Sequence, residues 1–178
     1  MKSNRLSSSL ALLVVIILFC GCTKDNRIAY EVRLDANFDL PNGLNTIETH
    51  YIYVRNVKML YGENIALRNI DTSTIDAINV SFGRLLPRFN STNLNYFQSV
   101  VVNVVSRLDP KNRNEIYYLE QIPNNQRAEL RLLNSISNLR EILKEENVDL
   151  EFRFQFRTFP PPAVSLTLDF GYVIYLKG

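Results

Sequence analysis

The sequence has no tryptophan, one histidine and only two cysteines, and the cysteines stand almost together at positions 20 and 22. Without a later cysteine, the rest of the chain has no disulfide, no thiolate metal site and no cysteine nucleophile. One histidine, His50, falls short of the multi-histidine ligand sets of catalytic zinc. The missing tryptophan removes the usual flat platform for sugars. The hydrophobic run at residues 10–19 is about half the ~20 residues that a membrane-spanning helix needs.

What is present begins at the N-terminus. Lys2 and Arg5 precede that run, and the small residue Gly21 follows it. A basic start, a short apolar centre and a small residue at the cut make a secretory signal. Phe19-Cys20-Gly21-Cys22 resembles the cleavage region of a bacterial lipoprotein signal. The resemblance implies that Cys22 is lipidated by fatty acyl chains such as palmitate and becomes the new N-terminus. Cys20 is the competing acceptor, but bulky Phe19 would then precede the cut. In Thr23-Lys24-Asp25-Asn26, Lys24 and Asp25 resemble the export signal of surface lipoproteins in Bacteroidota. An ordinary polar tether is the other reading of the same residues.

The implied organisation is a signal peptide over 1–21, a lipidated tether over 22–29 and one domain over 30–178. The implied place is the cell envelope, at the outer membrane and facing the cell surface or the periplasm. Each buried methylene of an acyl chain contributes about 0.8 kcal/mol to anchoring. Eight tether residues reach at most about 30 Å, so the domain is expected close to the bilayer.

Cleavage also changes the charge. The whole chain carries Lys+Arg 20 against Asp+Glu 18. Loss of Lys2 and Arg5 leaves the mature chain neutral. A neutral chain gives no support to nucleic-acid binding, which needs a clustered basic surface.

The dominant hydrophobic period is two, the signature of strands. Strands are expected over 30–40, 46–57, 74–86, 95–108, 115–122, 127–133, 148–158 and 164–176. The segment 46–57 is apolar on both faces from Tyr51 onward and is expected to be central or covered. Ile78, Val80 and Phe82 are expected on one face. A helical turn is expected near 65–68. A helix is expected from Ser137 or Asn138 to Asn147, on the stripe Leu139, Ile142 and Leu143. The expected fold is all-β: an antiparallel immunoglobulin-like β-sandwich of seven to eight strands with one short crossover helix.

Candidate sites are sparse. His50 can serve as a general base if a carboxylate sits beside it, but no local motif supplies a nucleophile. The bland reading is a half-buried strand residue near a turn. Asp35, Asn37 and Asp39 alternate like the start of a calcium loop, yet Leu40 and Thr46 stand where an EF-hand needs glycine and glutamate. They read better as the wet face of the first strand. Tyr51 and Tyr53 are candidate sugar-stacking rings. Arg153 and Arg157, with Glu151, line the outer face of the phenylalanine strand; they can hold an anion or pair with neighbouring carboxylates such as Asp169. Pro160-Pro161-Pro162 is a docking element or a stiff connection. Asn90-Ser91-Thr92 matches the glycosylation pattern by accident of composition. No pattern asks for a cofactor or metal.

Three functions remain open. The first is a non-enzymatic structural or accessory subunit of an outer-membrane assembly, with a protein partner in the envelope. The second is a glycan- or peptide-binding surface module. The third is a hydrolase built on His50, which the missing catalytic set disfavours.

Overall fold

The computed structural model describes residues 29–89, 93–125 and 128–177. The signal, Cys22, Lys24, Asp25 and Asn90-Ser91-Thr92 lie outside the described residues. Eight antiparallel strands form one nearly closed, barrel-like sheet. In chain order they are β1 (Ala29–Asp39), β2 (His50–Lys58), β3 (Ile75–Pro87), β4 (Phe97–Val105), β5 (Arg113–Leu119), β6 (Leu130–Asn134), β7 (Asn147–Phe156) and β8 (Ser165–Leu176). The helix α1 (Tyr61–Leu67) and two single 3-10 turns, Thr72–Thr74 and Ile142–Lys144, complete the regular structure among the described residues. The all-β expectation therefore holds.

The spatial order is β1-β8-β3-β6-β5-β4-β7-β2. First pairs with last, second with seventh, third with sixth and fourth with fifth. This nested winding is the jelly-roll order of two Greek keys. The immunoglobulin-like order expected from the sequence pairs β1 with β2; here these are the two ends of the sheet, close but without a ladder between them.

The inner face is aromatic. The alternation of β7 places Val148, Leu150, Phe152, Phe154 and Phe156 in the core, each at most 1% exposed. Phe38 from β1 meets Phe152 at 4.3 Å between ring centroids, and Phe97 from β4 meets Phe154 at 5.1 Å. Each fully buried phenylalanine is worth about 1.5–3 kcal/mol of apolar burial.

Tyr117 crosses from β5 to the opposite half of the sheet. Its hydroxyl donates to Gly171 O at 2.8 Å. Its ring fills the space over Gly83, where a Cβ would lie 2.7 Å from the ring. On the outside, Phe82 covers Gly171, its cross-strand partner; a Cβ there would lie 2.6 Å from that ring. This explains why Phe82 does not share a face with Ile78 and Val80 as expected. A bulge between Val80 and Phe82 turns the ring outward.

Two further expectations change. The segment at 137–147 is not a helix. Asn138 forms a β-bridge with Asn79, and its Oδ1 accepts from Ile78 N and Arg140 N. Leu139 N donates to Ile78 O, so the backbone is spent on the sheet and only Ile142–Lys144 turns. A helix of that length is marginal without its own hydrogen bonds. The helix forms instead at 61–67, close to the turn expected near 65–68. The strand expected to be central, β2, is an edge strand with no buried residue. Its Ile52 and Val54 pack against the core only in part, while Tyr51 and Tyr53 face solvent.

Gly83→Ala should lower stability by ~1–3 kcal/mol through overpacking against Tyr117. Tyr117→Phe should cost about 1 kcal/mol through the lost hydrogen bond. Both act on the same ring, so urea unfolding of the double variant should give less than the sum.

Candidate functional site

The outer face of β5-β4-β7-β2 carries the most concentrated chemistry. Strand alternation turns Asp149, Glu151, Arg153 and Gln155 of β7 outward. The register then sets Glu151 opposite Tyr53 on one side and Asn103 on the other, and Arg153 opposite Tyr51 and Val101. Although it faces outward, Glu151 is only 1% exposed. Its carboxylate accepts from the Tyr53 hydroxyl at 2.5 Å and from Asn103 Nδ2 at 2.8 Å. Arg113 Nη1 lies 3.3 Å from Oε1. Beside it, Arg153 Nη2 reaches Glu115 at 3.4 Å.

The electrostatics follow from these contacts. Burial pushes the Glu151 carboxyl up, but the hydrogen bonds from Tyr53 and Asn103 and the charges of Arg113 and Arg153 outweigh it. The net effect holds the group below its ordinary value of 4.5. The Tyr53 phenol is raised, first by its bond to Glu151 and then by burial. An ionised carboxylate saturated by donors is a poor proton acceptor. What it does well is fix the Tyr53 ring and the Arg113 guanidinium in place.

Where β2 leaves β7, a cleft of about 440 Å³ opens. Tyr53, Arg55, Arg107, Arg113 and Asp149 line it, with Val105, Ser106 and Pro110. A bulge between Val54 and Val57 creates it, with Asn56 in the left-handed region at φ 61°. Asp149 accepts from Asn56 N at 2.9 Å, and Arg107 Nη1 donates to Asn56 Oδ1 at 2.7 Å. Glu145 braces the far wall by accepting from Arg107 N at 2.9 Å and from the Ser106 hydroxyl.

Of the residues singled out in the sequence, Tyr51, Tyr53 and Arg153 share this face. Tyr51 and Tyr53 are 55% and 48% exposed. Arg157 does not join them. Its guanidinium donates to Phe97 O at 2.9 and 3.1 Å and to Ile122 O, tying chain segments together near the end of the sheet. Asp169 pairs with Arg84 on the other half, not with Arg153. His50 turns inward: its ring lies 5.6 Å from Phe156, and Nε2 lies 2.9 Å from Asn45 O. Asp35, Asn37 and Asp39 lie exposed along β1, where Asn37 accepts from Thr167 and Asp39 from Ser165. Among the described residues, no group of three or more His, Cys, Asp or Glu is placed to hold a metal ion. Arg55, Asn103, Arg113 and Glu115 were not singled out in the sequence. The only signal for them is cross-strand register, which requires the strand order.

A second, shallower groove of about 680 Å³ lies on the opposite half, between β1, β3 and β6. Its arginines are already paired: Arg33 with Glu31 at 3.0 Å, Arg131 with Glu129 at 2.7 Å, and Arg84 with Asp169.

No protein-family model matches the sequence, and no curated protein matches it. Among solved structures, a chain from Desmodium yellow mottle tymovirus is similar at 12% identity and a TM-score of 0.25. The match covers 83% of this chain and 89% of that one. At that score the likeness carries no argument about function. Among the described residues, no helix is long and apolar enough to cross a membrane, which leaves strand-built spans untouched.

The depressed Glu151 carboxyl gives a signed pH dependence. Its contribution is fully present above the unfolded carboxylate value and is lost as pH falls through the lower folded value. Thermal unfolding should therefore show stability dropping below about pH 4.5, and Glu151→Gln should flatten that drop. At pH 7 the same substitution should cost about 1–3 kcal/mol, because Arg113 loses its charged partner and one hydrogen bond is mismatched.

Proposed function

We propose that the chain is a membrane-anchored lipoprotein of the cell envelope, held at the outer membrane through lipid on Cys22. Its globular part acts as a non-enzymatic accessory or structural subunit beside a protein partner. The observation that supports this most is the place of β1 in the sequence: the first described strand begins at Ala29, seven residues after Cys22, so a lipid on Cys22 would leave a short stretch of chain before the sheet. In this reading the two halves of the sheet, β1-β8-β3-β6 and β5-β4-β7-β2, are the layers of a sandwich. Its outer faces carry polar clusters suited to contact with other molecules.

A second reading is a glycan- or peptide-binding surface module. The side-by-side exposure of Tyr51 and Tyr53 favours it, since two phenol rings on one strand face offer flat apolar area with polar tips.

Metabolic labelling with an alkyne fatty acid should mark the wild-type chain and Cys20→Ala but not Cys22→Ala. Cys22→Ala should also leave the membrane fraction. A photo-crosslinking residue at Tyr51 in cells should give one discrete protein adduct, and the same residue at Asp35 should give none. Labelling that survives Cys22→Ala would remove the anchor from this reading. Identical crosslinking at both positions would remove the specific partner.

A further inference from the structure

Along the outer face of β2, Tyr51, Tyr53 and Arg55 follow one another at alternate positions. The strand advances ~3.4 Å per residue, so Tyr51 and Tyr53 stand ~7 Å apart, and Arg55 follows them within the bulge. The row runs into the 440 Å³ cleft, which Tyr53 and Arg55 both line. Its members differ in how they are held. Tyr53 is pinned by its bond to buried Glu151, so the ring is pre-organised. Arg55 is exposed and makes no ion pair or hydrogen bond among the described residues.

The arginines of the cleft differ in their partners. Arg107 lies 3.7 Å from Asp149 and donates its backbone N–H to Glu145, and Arg113 lies 3.3 Å from Glu151. Arg55 lines the same cleft and has no carboxylate partner among the described residues. A buried glutamate is weak evidence for stability, because desolvation offsets most of its Coulomb gain. Here it fixes a ring and an arginine at the rim of a cleft, which is how a binding constellation is made rigid.

We infer that this row binds an acidic glycan: sugar rings lie on Tyr51 and Tyr53, and the carboxylate of a uronic acid unit pairs with Arg55 at the cleft. This rests on the second reading above and names its ligand class. The planar guanidinium fork matches a carboxylate in two parallel hydrogen bonds. The rings supply the apolar face, and the fixed Tyr53 phenol lowers the entropy lost on binding. A peptide strand would add along the free edge of β2, in the plane of the sheet. The row stands on the outer face instead, where flat rings and a guanidinium suit a sugar acid better than a backbone.

The test is calorimetric titration of the full lipidated chain in mild detergent with oligogalacturonate and with its neutral methyl ester. The acid should bind, and the ester should bind about tenfold or more weakly. Arg55→Gln should bring the acid down to the level of the ester, and added salt should act in the same direction. Tyr51→Ala should weaken both ligands. Arg55 is exposed and unpartnered, so unchanged thermal unfolding of Arg55→Gln would show that the loss is not a folding defect. Equal binding of acid and ester would overturn the inference while leaving a glycan module standing. Binding of neither would overturn both. Acid selectivity that persists in Arg55→Gln, or an acidic peptide that binds as tightly as the glycan, would also overturn the inference.

Discussion

The phenylalanine ladder of β7 is the surface on which the rest of the sheet closes. Phe152, Phe154 and Phe156 receive Phe38 from β1, Phe97 from β4 and the ring of His50 from β2. Strands from both ends of the sheet thus converge on one set of rings. Without tryptophan or a disulfide, these contacts and the Tyr117 bridge carry the closure that disulfides supply in many small domains. The outer face of the sheet can then be polar, because the inner one is sufficiently apolar.

The same ladder explains where chemistry is found. A strand that buries one face completely is fixed in register, since a slip of one residue would expose every phenylalanine. Fixed register makes the outer partners of β7 equally fixed. Glu151 meets Tyr53 and Asn103, and Arg153 meets Tyr51, as a direct result of where Phe152 and Phe154 sit. The cleft appears where that order ends, at the bulge in β2. Site and core are two sides of one constraint.

This also separates what the sequence made legible from what it did not. The alternation in β7 and β8 is strong enough to read directly, with Leu166, Leu168, Phe170, Tyr172 and Ile174 buried as their spacing requires. Strand order is another matter. Alternation states which face is buried and says nothing about which strand lies alongside, so the immunoglobulin-like order was an analogy that the nested pairing replaces. The cluster around Glu151 was invisible for the same reason: Asn103 and Arg113 are 48 and 38 residues away. The stripe Leu139, Ile142 and Leu143 fits a helix and also fits one turn pinned to β3, and only the bridge from Asn138 decides between them. In β2, apolar residues on both faces read as burial; the tyrosines are instead exposed rings at a sheet edge.

Nested pairing has a mechanical side. The first described strand, β1, is bonded along its whole length to β8, from Ala29 opposite Tyr175 to Asp39 opposite Ser165. A pull on the chain ahead of Ala29 acts first on the Ala29–Tyr175 end of that ladder, where β1 starts beside the end of β8. That strand also waits longest for its partner, because β8 is synthesised after the other seven strands.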